Sequence, residues 1–189
     1  MGDEVLVMDK YDEAIDPQTT PERLEELAQD EDRYIRQCVA RHPNAPLDIL
    51  YQFSSYDSEY VRRAVAQHPD ADAIILAQLA TDDDREVRRA VAGNTSTSVD
   101  TLTQLADDTN TRVRVFVAGN PNTANALLIK FSRDEDWHAR RSVAKNPSTQ
   151  TDILTLLTGD ENEDVARAAK EALTTRSQST LSWAMSVGC

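Results

Sequence analysis

The chain has 189 residues and a formal net charge of −13; aromatic residues make up 5% of it, and its two cysteines are Cys38 and Cys189. This length suits one ordinary domain, and a composition poor in aromatics and rich in Ala, Leu and Val favours thin helix packing over a large globular core or a sheet. Two isolated thiols make neither a disulfide framework nor a metal cluster, no apolar run reaches the length of a membrane span, and the acidic balance repels nucleic acid and anionic membranes at long range.

Residues 1–18 read as an acidic N-terminal cap segment. They lack the basic, then apolar, pattern of a secretory signal, and a soluble cytoplasmic protein is expected. The apolar stretch Val5 to Met8, with Ile15, is expected to cover the open face of the first repeat.

Residues 19–174 are built on a strict 26-residue repeat. Leu24, Leu50, Leu76, Leu102, Leu128 and Leu154 mark one column, and Val39, Val65, Val91, Val117 and Val143 mark another, each Val followed by Ala. Self-similarity at a fixed period is the signature of stacked repeats, because one unit cannot bury its apolar faces alone. The segment holds six units, each read as two short helices. The first helix is expected to start near Thr19, Thr97, Thr123 and Thr149, with Thr19 and Glu22 forming a capping box. It presents an apolar stripe such as Leu24, Leu27 and Ala28.

The second helix starts after a strong N-cap residue in every unit: Asp32, Ser58, Asp84, Asn110, Asp136 and Asn162. It buries Ile35, Cys38 and Val39 in the first unit and Val87, Ala90 and Val91 in the third. His42, His68, Asn94, Asn120 and Asn146 stand at its end, where Asn tolerates the left-handed conformation that stops helices. Pro43, Pro69, Pro121 and Pro147 reinforce the stop. The sixth unit lacks that stop, so its helix is expected to run to about Leu173. Residues 175–189 are read as a C-terminal tail, polar and then apolar, either a loose end or a short docking peptide.

The stretches Asp84 to Asn94, Val113 to Thr123 and Arg140 to Thr149 resemble the leucine-rich repeat variant (LRV) family. The resemblance covers about Thr19 to Leu173. It implies an all-α fold, a right-handed α-solenoid in which α-helices alternate with shorter, often 3₁₀, helices. Some family members hold an iron–sulfur centre on an N-terminal cysteine cluster; no cysteine precedes Cys38 here, so no cofactor is carried over.

Two arginine columns are the conspicuous polar features. Arg36, Arg62, Arg88, Arg114 and Arg140 occupy one position in five consecutive units. Asp30, Asp82, Asp108, Asp134 and Asp160 recur before the second helix, so this column is read as a structural ladder binding carboxylates or loop carbonyls. Arg63, Arg89 and Arg141 lie one residue further, about 100° around the helix, with Arg41 and Lys145 one turn beyond that column. These five are the candidate contacts for a partner, against the alternative that they merely form a solvated face.

The patterns of known catalytic motifs are absent. Asp82 to Asp84 fail the EF-hand pattern, which needs Gly and Glu where Val87 and Gly93 stand. The reading is therefore a non-catalytic scaffold, not an enzyme, binding a protein or peptide, with an acidic one suiting the basic column. The alternative is a nucleic-acid-binding helical-repeat protein with a basic groove. No membrane partner is expected, and the oligomeric state is not legible.

Overall fold

The computed structural model describes residues 9–187, and every regular element among them is an α-helix. The chain divides after Thr97 into two compact units. The first contains α1 (Lys10–Ile15), α2 (Pro21–Leu27), α3 (Arg33–Arg41), α4 (Leu47–Ser54), α5 (Glu59–Gln67), α6 (Ala73–Leu79) and α7 (Arg85–Gly93). The second contains α8 (Val99–Leu105), α9 (Thr111–Gly119), α10 (Asn125–Phe131), α11 (Trp137–Lys145), α12 (Thr151–Leu157) and α13 (Glu163–Val187).

Each 26-residue repeat is thus a short helix of seven or eight residues followed by a second helix, nine residues long in the first five repeats. Both are α-helical here, where the family resemblance implied 3₁₀ for the shorter. In the first unit α3 packs on α5 and α5 on α7; in the second α9 packs on α11 and α11 on α13. The second helices form the closer layer because their facing residues are small: Ala40, Ala66 and Ala92 in one unit, Ala118 and Ala144 in the other, are all fully buried. The first helices fill the other side with Leu24, Leu50, Phe53 and Leu76, then Leu102, Leu128, Phe131 and Leu154, each fully buried. A buried side chain of this size contributes about 1.5–3 kcal/mol.

Five of the six second helices are capped as the sequence indicates. Asp32, Asp84, Asn110, Asp136 and Asn162 accept backbone N–H bonds from the first turn, and Ser58 makes no side-chain cap bond. The first helices start one residue later than expected. Thr20 and Ser98 are the N-caps of α2 and α8, accepting from Arg23 and Thr101 N–H. The threonines before them turn inward instead: Thr97, Thr123 and Thr149 are buried, and each donates to the carbonyl of the valine six residues earlier. Thr19 donates likewise to the Glu13 carbonyl at 2.5 Å. A hydroxyl on this carbonyl stitches the end of one helix to the start of the next.

The helix stops also differ from the expectation. His42, His68, Asn94, Asn120 and Asn146 all have φ near −70° and ψ between 125° and 134°, and no described residue has positive φ. The left-handed conformation is not used. The proline that follows four of them disfavours helix in the residue before it, and Asn94, followed by Thr95, adopts the same extended form.

The two ends of the repeat array carry features beyond the sequence expectations. Helix α1 is in register with the second helices: Lys10, Ala14 and Asp16-Pro17 stand 26 residues before Arg36, Ala40 and His42-Pro43. Ala14 is buried and α1 packs on α3, while Ile15 is half exposed. Val5 to Met8, expected to cover this face, lie outside the described residues. At the other end α13 does not stop at Leu173 but continues to Val187. Arg176 on it donates to the Thr149 and Pro147 carbonyls at 2.6 and 3.0 Å.

Candidate partner-binding face

The regular arginine column is consumed by bonds within the stack. Arg62 places Nε and Nη2 on the Asp82 carboxylate at 2.6 and 3.0 Å while Nη1 donates to the Tyr56 and Asp57 carbonyls. Arg114 and Arg140 repeat this on Asp134 and Asp160 of the next repeat and on loop carbonyls of their own. Arg88 donates to the Asp82 and Asp83 carbonyls. Each carboxylate is itself held, since its Oδ1 also accepts the N–H two residues on: Asp82 from Asp84, Asp134 from Asp136, Asp160 from Asn162. These carboxylates raise the pKa of Arg62, Arg114 and Arg140 above the ordinary guanidinium value, and Arg140 in turn lowers that of Asp160.

Arg36 is the exception. The residue that would clamp it is Tyr56, not Asp, and the guanidinium lies 4.7 Å from that ring. Its Nη1 donates to the Asp30 carbonyl and its buried Nε has no partner. Asp30 is taken instead by Lys10 of α1 at 2.6 Å, so a lysine serves at the position where later repeats use arginine.

A second set of polar bonds ties the repeats at the far end of the second helix. His68 Nε2 reaches the His42 carbonyl at 2.9 Å and its Nδ1 accepts the Asp70 N–H; His42 makes the matching pair with the Asp16 carbonyl and Asn44 N–H. Asn94 Nδ2 donates to the Ala66 and His68 carbonyls, and Asn146 to Ala118 and Asn120. His and Asn are interchangeable here because both offer a donor and an acceptor at the required spacing.

The less regular column lies at the surface. In the first unit Arg63 and Arg89 occupy equivalent, half-exposed positions on α5 and α7, and Arg41 stands exposed at the end of α3. Arg63 makes no hydrogen bond or ion pair among the described residues, and Arg89 Nη2 pairs with Glu86 at 2.8 Å. In the second unit Arg141, half-buried with an unpartnered Nε, and exposed Lys145 lie one turn apart on α11.

Aromatic residues with no part in the sequence expectations share these faces. Tyr34 on α3 and Tyr60 on α5 are 55% and 47% exposed, and Phe116 on α9 is 43% exposed. Phe116 aligns with Cys38, which is half-buried and not enclosed, its thiol pKa raised by burial. Cys38, expected to be core, therefore borders the surface, whereas Ala64, Ala90 and Ala168 at the same repeat position are buried. The opposite, loop edge is acidic: the hollows there are lined by Asp57, Asp82 and Asp83 beside Arg62, and by Glu135 and Glu161 beside Arg140. No group of three or more His, Cys, Asp or Glu among the described residues is placed to hold a metal ion, and no helix among them is long and apolar enough to cross a membrane.

Stacked two-helix units of fixed period, joined by side-chain ladders, define a helical-repeat protein. The model of the family described as leucine rich repeat variant matches residues 85–109, which is one repeat. A solved structure described as a leucine-rich repeat variant with a novel repetitive structural motif is 26% identical to the chain, with a TM-score of 0.63 over 86% of the chain and 64% of that structure. The X-ray structure of the Escherichia coli protein YibA matches at 22% identity and a TM-score of 0.59, over 88% of the chain and 73% of its own. The chain is a helical-repeat protein whose repeat is similar to that of the leucine-rich repeat variants, and it spans less than two thirds of the first of these structures. A comparison with curated proteins gives no match.

Proposed function

We propose that the protein is a non-catalytic binding scaffold that holds a protein or peptide segment on the outward face of its second helices. The observation that carries this reading is the division of labour between the columns. Arg62, Arg114 and Arg140 are committed to carboxylates of the stack, whereas Arg63, one turn from the exposed Tyr60, and Arg41, exposed at the end of α3, have no such commitment. Interfaces favour this mixture of arginine and aromatic residues. Arg41, Arg63 and Arg89 serve in the first unit, and Arg141 and Lys145 in the second. An acidic segment suits them, and a cytoplasmic setting suits a chain with only two cysteines, far apart in sequence.

The test is capture of partners from a lysate by the whole chain and by the Arg63→Ala/Arg89→Ala/Arg141→Ala variant. The variant is expected to keep its helical circular dichroism and urea midpoint and to lose the proteins that the parent retains. Identical captured sets would overturn the assignment. Nucleic acid is the competing ligand, and the net charge of −13 opposes it. Retention of nucleic acid that fell steeply with salt would favour it over protein.

A further inference from the structure

The exposed tyrosines of the first two repeats are held in place by a cation rather than by a core. Arg33, at the start of α3, has its guanidinium carbon 5.0 Å from the Tyr34 ring centroid and 5.7 Å from that of Tyr60, and its Nη2 donates to Tyr34 Oη at 3.2 Å. One arginine therefore spans two adjacent second helices and fixes an aromatic ring on each. Cation–π contacts of this kind are worth about 0.5–1 kcal/mol at exposed sites, too little to explain leaving two large rings half in water. Their effect is to order the rings in advance. A ring that has already lost its rotamer freedom costs less to bury against a partner.

The charges around the rings point to what that partner carries. Arg63 lies one turn along α5 from Tyr60, and Arg41 two turns along α3 from Tyr34. Arg33 has the charge of Glu59 beside it, so the surplus positive charge on this face of a chain of net charge −13 comes from Arg63 and Arg41, while Glu31, Asp57 and Asp83 keep the loop edge negative. A polyanion such as nucleic acid, with one charge about every 1.7 Å, meets the field of the whole acidic body. A short segment with a few spaced carboxylates meets chiefly the local cations, because the Debye length is about 8 Å at physiological salt.

We infer that Arg33, Tyr34, Tyr60, Arg63 and Arg41 form a clasp for an extended acidic protein segment. A proline or aliphatic residue of the segment lies across the two rings, and carboxylates on either side of it meet Arg63 and Arg41. This rests on the scaffold reading above and adds the anchor and the chemistry of the partner. Neighbouring helices are about 8–10 Å apart. A polyproline II strand advances about 9 Å in three residues, so acids at every third position match that step.

The experiment measures fluorescence anisotropy of a labelled (Glu-Pro-Pro)4 peptide with the full chain, beside a labelled (Lys-Pro-Pro)4 peptide and a twelve-nucleotide thymidine strand. The acidic peptide is expected to bind more tightly than either. The Tyr34→Ala/Tyr60→Ala variant should weaken it about tenfold or more, as should Arg63→Ala. Glu135→Gln, in the second unit, should leave it unchanged. Circular dichroism establishes that each variant is folded. Absence of acidic-peptide binding, equal binding of the lysine peptide or tighter binding of the thymidine strand would each overturn the clasp. If Arg63→Ala weakens the peptide and the tyrosine variant does not, the clasp is wrong and the scaffold face stands. If neither does, the binding role given to that face falls as well.

Discussion

Arg140 and Asp160 are 20 residues apart in sequence and one repeat apart in space, and they meet fork to fork, Nε on Oδ2 at 2.7 Å and Nη2 on Oδ1 at 3.0 Å. The side chains are 10% and 7% exposed, so the pair is largely withdrawn from water. Two-pronged geometry of this type is open to arginine and closed to lysine. The same relationship joins Arg62 to Asp82 and Arg114 to Asp134, making it a recurring joint between neighbouring repeats.

Removing one partner of such a joint strands the other. Arg140→Ala is expected to lower the unfolding free energy by about 3 kcal/mol, in the range for breaking a buried pair. Arg140→Lys should lie between that variant and the parent. Arg63→Ala, one helix face away, should stay within about 0.5 kcal/mol of the parent. Urea unfolding of the three variants beside the parent decides the matter, and equal midpoints for Arg140→Ala and Arg63→Ala would contradict it.

Asp160 gives the joint a pH dependence of known sign. The Arg140 guanidinium holds its carboxyl below the ordinary carboxylate pKa, so the unfolded chain binds a proton before the folded chain does. The stabilisation is complete above the unfolded value, about pH 4, and is lost as pH falls through the depressed folded value. Thermal melts between about pH 3 and 7 should show Asp160→Asn less stable than the parent at neutral pH, with the difference shrinking toward the acid end. A difference independent of pH would refute the linkage.

His68 is predicted to tolerate asparagine and little else. Asn94 makes the equivalent bonds one repeat later, with Nδ2 on the His68 and Ala66 carbonyls and Oδ1 accepting the Ser96 N–H. His68→Asn should therefore change stability by less than about 1 kcal/mol. His68→Leu leaves the Asp70 N–H without its partner and takes one of two bonds from the His42 carbonyl, which keeps that of the Ala45 N–H, at a cost of about 1–3 kcal/mol. Chemical denaturation separates these outcomes, and similar losses for the two variants would show that the ladder bonds are not what His68 contributes.

Tyr56 interrupts the carboxylate column, which makes the Arg36 joint the weak one. Arg36→Ala should cost about 1 kcal/mol, the loss of one carbonyl bond and one ring contact. In a Tyr56→Asp background the same substitution should cost about as much as Arg140→Ala. A double-mutant cycle reads this coupling directly, independent of what Tyr56→Asp does to the Phe53–Tyr56 edge contact at 5.7 Å. Zero coupling would mean that the introduced carboxylate does not reach Arg36.

The period, the helix pairs, the N-caps of the second helices and the apolar columns are all legible in the chain alone. These are local or strictly repeated properties, and a column such as Leu24 to Leu154 averages out the accidents of any one unit. The two arginine columns separate at the same level, because an Arg and an Asp recurring together imply contact. Packing settles the roles of side chains that have two open to them. Thr97 reads equally as a cap or an inward donor, and the Val91 carbonyl six residues back selects the second. Asn94 reads as a helix stop until the preceding repeat supplies two carbonyls to bond. The half-repeat of α1 is masked because Lys10 and Asp16 replace the residues that mark the pattern. Tyr34 and Tyr60 carry no mark in the sequence because exposure depends on neighbours a full repeat away, and no spacing within one helix reveals that Arg33 reaches both rings.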